Sequence, residues 1–156
     1  MGTNAEVTNE SRDRLLGEVG GFLVAAGLAM RVKGEQDRNG LVSAIAVCTQ
    51  INGDLARSQR DLVAARHYYS AAALVRQVLE TTQLVQYFSD RPDRAEFWLA
   101  ASDEEVRGAS DFGPAALRRA TGSSDAVYSR HCLMGGHPRS VAQTLLPGAD
   151  GDLPTM

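Results

Sequence analysis

The sequence predicts an all-α protein: one helical bundle of three long helices and several short ones. Three observations carry this. Apolar residues recur every third or fourth position over three long stretches. No segment shows the strict alternation of a half-buried strand. Caps, prolines and glycines punctuate the second half at short intervals. Hydrophobic residues make up 44% of the chain and charged residues 22%, the balance of a soluble globular protein. At 156 residues the chain suits one core. The domain is expected over residues 9–146, between a disordered stretch at 1–8 and a flexible tail at 147–156.

The first helix starts near Asn9 or Ser11. Leu15, Leu16, Val19, Phe22, Leu23, Ala26, Ala29 and Met30 supply its helical apolar spacing. Gly17, Gly20, Gly21 and Gly27 each cost about 1 kcal/mol relative to Ala, so they mark either close helix packing or a bend near Gly20-Gly21. Gly34 to Asn39 reads as a turn. The second helix runs from Leu41 to about Arg57, with Leu41, Ile45, Cys48, Ile51 and Leu55 on one stripe. Asp54 to Asp61 is either a loop or a solvated continuation. The central helix spans Leu62 to Asp90, where Asp90 and Pro92 mark the break. A short helix follows through Phe97, Trp98 and Leu99, with Trp98 as its core anchor. Ser102 and Glu105 match a capping box for another, ending near Gly108. Gly113-Pro114 opens a helix over Ala115 to Thr121. Ser124 or Asp125 caps the last one, which runs to about Met134 and is ended by Gly135-Gly136.

The central helix carries the residues of most interest. Tyr69, Ala73, Arg76, Glu80, Gln83 and Tyr87 form one stripe beside an apolar stripe of Leu74, Val75, Val78, Leu79, Val85 and Phe88. Arg76 and Glu80 are one turn apart. They are either an exposed pair worth a few tenths of a kcal/mol or a buried pair that needs compensating hydrogen bonds. The candidate partners lie between Tyr128 and Pro138, which holds a tyrosine, an arginine, a thiol and two histidines. Tyr128 and Cys132 share one helical face, expected to meet the central helix, and His137 follows in the turn held by Pro138. The candidate polar cluster is Arg76, Glu80, Tyr128, Cys132 and His137.

These residues also carry a resemblance. Ala72-x-Leu-Val-Arg-x-x-Leu-Glu80, then Arg91-Pro-x-x-Ala95 before Trp98, then Tyr128-x3-Cys132-x4-His137-Pro138 together resemble a family of bacterial helical proteins similar to the HEPN superfamily (higher eukaryotes and prokaryotes nucleotide-binding). The resemblance spans Leu62 to Pro138. It implies a HEPN-like bundle serving as a helical interaction or ligand-binding module. In such a module Glu80 would hold Arg76, Tyr128 would bond one of them, and His137 would cap the site. The alternative it implies is a metal-independent ribonuclease of a toxin or phage-defence system. There Arg130 and His137, with six residues between them, would be catalytic: His as general acid/base and Arg on the phosphate. Family members continue into a further helix after the His-Pro turn. Here Ser140 to Leu146 is followed by a Pro, Gly and Asp-rich tail, so either a second copy or a partner chain completes the bundle or the chain is a shortened member of the family.

Other chemistry is weaker. Net charge is −3, so nothing draws RNA or an anionic membrane to the chain as a whole. His131, Cys132 and His137 have zinc-ligand atoms but match no zinc spacing, and no metal or cofactor is expected. Neither glycine pair continues into a phosphate loop. His67 reads as a partly exposed helix residue. Cys48 and Cys132 read as reduced thiols of a cytoplasmic protein, and the longest apolar run, Phe22 to Met30, is too short to span a bilayer.

Overall fold

The computed structural model describes residues 9–136 and 145–146. Those residues are helical, with no strand among them: α1 (Asn9–Asp37), α2 (Gly40–Ala64), α3 (Tyr68–Asp90), α4 (Pro92–Ala100), α5 (Asp103–Gly108), α6 (Pro114–Thr121) and α7 (Asp125–His131), continued by a π-helical turn, Cys132–Gly136. The expected tails at 1–8 and 147–156, and His137, lie outside the described residues. The all-α class is as expected.

Helix α1 packs lengthwise on α2, α2 packs on α3 and α4, and α3 receives α6, α7 and the π turn. The two long connections are tighter than expected. At the end of α1, Asn39 N–H bonds to Gly34 O at 2.8 Å and Arg38 N–H to Glu35 O at 3.3 Å, with Arg38 at φ 51°. At the end of α2, His67 N–H bonds to Leu62 O at 2.7 Å and Arg66 N–H to Val63 O at 3.0 Å, with Arg66 at φ 61°. Both are Schellman stops, a geometry that usually takes Gly at the left-handed position. Here Arg occupies it, so no glycine announces the stop. Two boundaries move as a result. Leu62 to Ala64 belong to α2, which runs unbroken through Asp54–Asp61, and the central helix begins at Tyr68. His67 is the exposed residue just ahead of it.

Gly20, Gly27 and Gly34 of α1 mark close packing on α2. A Cβ at Gly20 would meet Gly53 O at 3.0 Å and Arg57 Cγ at 2.8 Å. At Gly27 it would meet Ala46 O at 2.9 Å, and at Gly34 the Ser43 N at 2.9 Å. The helix is unbroken through Gly20-Gly21. The apolar residues of α1 divide accordingly. Leu16, Leu23 and Met30 are partly covered beside the glycines. Leu15, Val19 and Phe22 are exposed, Phe22 by 70%. Ile51 on α2 is likewise exposed, because Ala44, Cys48 and Ala56 take the inner positions. By length and composition alone, α1 could cross a membrane: an 18-residue window within Glu10–Asp37 has mean hydropathy 1.6, although the uninterrupted apolar run is short.

The core is small. Ala44, Cys48, Tyr87, Phe88, Ala95 and Leu117 are buried, with Leu41, Ile45, Leu84, Val85, Trp98 and Phe112 packed around them. Phe88 is its centre, with the Trp98 ring at 5.4 Å and Phe112 at 6.4 Å. Burial of the Cys48 thiol pushes its pKa up to about 12, so it behaves as an apolar filler. Cys48 and Cys132 are both free.

Short helices α4 to α7 are set by local signals. Pro92 and Pro114 occupy first-turn positions of α4 and α6. Asp90 is the last residue of α3 rather than a cap for α4, whose cap position is Arg91. Ser102 and Glu105 form both arms of the capping box: Ser102 N–H donates to Glu105 Oε2 at 2.8 Å, and Glu105 N–H to Ser102 Oγ at 3.3 Å. Gly122, at φ 65°, ends α6.

Candidate functional site

Residues 76 and 80 are one turn apart on α3, so their side chains meet along the helix surface. Arg76 Nε donates to Glu80 Oε1 at 2.8 Å. Tyr128, on α7, donates its hydroxyl to the same oxygen at 2.6 Å. The short distance fits a phenol on a carboxylate, a charge-assisted bond. The sequence left the pair either exposed or buried. It is neither: the Arg76 and Glu80 side chains are 30% and 28% exposed, half-covered by α7 and the turn after it. Tyr128 is nearly buried.

The electrostatics follow from that geometry. The Tyr128 hydroxyl is pushed up to about 12, first by burial and then by its bond to the Glu80 carboxylate. It therefore acts as a donor and not as a base. The Glu80 bond outweighs desolvation at Arg76 and raises its pKa above the usual arginine value. Arg76 is held as a cation, with its guanidinium carbon 5.6 Å from the centre of the Tyr128 ring.

One member of the cluster was not anticipated. Arg118 of α6 lies over the Tyr128 ring at 4.0 Å, a cation–π distance, while its Nε bonds to Asp125 at 2.6 Å. Arg118 sits on a separate helix with no periodic relation to α3 or α7, so only tertiary packing brings it in.

The expected partners divide. Tyr128 joins Arg76 and Glu80. The turn holding Cys132 packs on α3, with Gly135 so close that a Cβ would run into the backbone of Ala72 and Ala73. The last helix gives way to this π turn after His131, earlier than the Met134 expected. Cys132 is partly covered and close enough to Arg76 and Tyr128 to act on both electrostatically. Arg130 is exposed and outside the cluster. His137 lies outside the described residues. Among the described residues, no three His, Cys, Asp or Glu side chains converge as a metal site would need.

A second network of the same chemistry lies at the other end of α3. Arg94 clamps Asp111 with Nε at 2.7 Å and Nη2 at 2.8 Å, and Tyr87 donates to Asp111 Oδ2 at 2.7 Å. Burial works against the Asp111 carboxylate, but the bonds from Arg94 and Tyr87 keep its pKa below the ordinary value. Arg94 also lies 4.4 Å from the Phe97 ring centre and 5.0 Å from that of Phe112. Tyr87 stood at the end of the polar stripe; Arg94 and Asp111 were missed because they are 17 residues apart on a helix and a loop.

Tyr128→Phe is expected to lower the free energy of unfolding by about 1.5–3 kcal/mol, the range for a bond to a charged group. Glu80→Ala removes the acceptor for both donors and is expected to cost about 2 kcal/mol, held down by solvent at the half-open pair. Urea denaturation of each variant checks both values. Because the folded Tyr128 pKa exceeds the unfolded value, its contribution is complete below about pH 10. It is lost as pH rises towards about 12. Tyrosinate absorbance during alkaline titration should show two late-ionising tyrosines, Tyr87 and Tyr128, of which Tyr128→Phe removes one.

No family model, no curated protein and no solved structure matches this chain.

Proposed function

We propose that this protein is a HEPN-like helical interaction module that associates with itself. In this reading the Arg76–Glu80–Tyr128 cluster, joined by Arg118 and Cys132, secures the last helices to α3. The supporting observation is that the cluster's bonds tie α7 to α3. One carboxylate oxygen takes both donors, and both arginines are drawn to the Tyr128 ring. Such an arrangement fixes geometry; its phenol stays protonated and its guanidinium charged, so neither is poised for proton transfer near neutrality. The exposure of Arg130 favours one second reading, a ribonuclease in which Arg130 meets the RNA phosphate and His137 carries the proton.

Light scattering and an RNA cleavage assay on the same sample separate the two. The module reading expects a mass above the monomer and no cleavage. Cleavage that His137→Ala abolishes, with helicity intact, would establish the ribonuclease instead.

A further inference from the structure

Helix α1 carries two seams of three-four spacing. The first is Leu16, Gly20, Leu23, Gly27, Met30 and Gly34, laid against α2 with its glycines buried. The second is Leu15, Glu18, Phe22, Ala25, Ala29 and Val32, and every one of these six is exposed. From Val19 to Met30 no residue is charged. A seven-residue repeat on one face, apolar here at every position but Glu18, is the pattern by which a helix receives another along its length. Over residues 15–32 that face is about 27 Å long.

We propose that this second seam is filled by α1 of a second copy, running antiparallel. The inference rests on the self-association reading above and names its surface. Charge selects the direction. Parallel, in-register pairing would set each Glu18 against its own copy. The antiparallel register with Leu15 opposite Val32 sets Glu18 opposite Ala29 and Phe22 opposite Ala25. Large side chains then meet small ones. Along the edge of the seam, Arg14 falls opposite Glu35, each already paired on its own helix, with Glu18 at 3.7 Å and Arg31 at 3.0 Å. Arg12 falls opposite Lys33, but Lys33 is already neutralised by Asp37 at 2.8 Å. A lipid occupant fits less well. Helix α2 lies along α1, and at the level of Gly20 it presents exposed Asp54 and Arg57, which would enter the bilayer with it.

The test uses the full chain. Wild type is expected to be a dimer by light scattering, and Phe22→Glu to halve the mass with helicity unchanged. Leu15→Cys and Val32→Cys are prepared separately in a Cys132→Ser background. Under mild oxidation they should cross-link when mixed and not alone. A monomeric wild type would defeat the self-association reading itself. A Phe22→Glu variant that stays dimeric leaves that reading standing and overturns this surface. Cross-linking of Leu15→Cys alone overturns the antiparallel direction. Co-sedimentation of wild type with phosphatidylcholine–phosphatidylglycerol vesicles, lost in Phe22→Glu, overturns the second copy as occupant.

Discussion

Phe88→Ala is expected to lower the free energy of unfolding by about 3–5 kcal/mol, a large part of the total of roughly 5–15 kcal/mol typical of a domain. Phe88 is the largest fully buried side chain among the described residues. Its ring touches the Tyr87, Trp98 and Phe112 aromatics, with centres 5.4 to 6.4 Å away. The rest of the inner layer is Ala44, Ala95 and Leu117, side chains too short to close over the space left behind. The cavity therefore persists, and its cost adds to the lost transfer energy. Urea denaturation followed by far-UV circular dichroism checks the value. A loss under 1 kcal/mol would mean that the core lies elsewhere. The matched control is Phe22→Ala, which on a 70% exposed side chain should leave the folding of the single chain almost unchanged.

Gly53→Ala is expected to destabilise by about 2–3 kcal/mol, although Ala is the better helix former by about 1 kcal/mol. The new Cβ would lie 2.8 Å from both Gly20 O and Val24 N, which are backbone atoms of α1. Backbone cannot turn aside as a side chain can, so the two helices must separate along the contact. Gly21→Ala, one residue from the same seam, meets nothing within 4 Å. It should gain about 0.5–1 kcal/mol. Opposite signs for two identical substitutions in one pair of helices are the measurement. If both stabilise, α1 does not pack on α2 through its glycines.

The long helices were legible because periodicity is a local property. So were the starts of the short ones, since Ser102, Ser124, Pro92 and Pro114 act on backbone within their own turn. The stop of α2 was not. A left-handed Arg66 has no sequence mark, and the pattern ran through it into Tyr68. On α1 the glycines marked either close packing or a bend, and periodicity alone could not choose; the absence of a side chain is what lets α2 approach. In the candidate site, Arg76, Glu80 and Tyr128 were readable because a charge pair among Ala, Leu and Val needs a partner, and few polar groups were available to supply one. Arg118, Arg94 and Asp111 were not, because their partners come from elements whose relative placement no spacing encodes.

The short turn at Arg38 and Asn39 has one more effect. Gly20, Gly27 and Gly34 recur every seven residues, so α1 would find similar clefts if it slid along α2 by one repeat, about 10.5 Å. A long, slack connection would tolerate that slide and leave two registers close in energy. Two hydrogen bonds across Gly34 to Asn39 hold the ends together and forbid it. The tautness of the hairpin, more than the chemistry of the contact, is what makes the alignment of α1 on α2 unique.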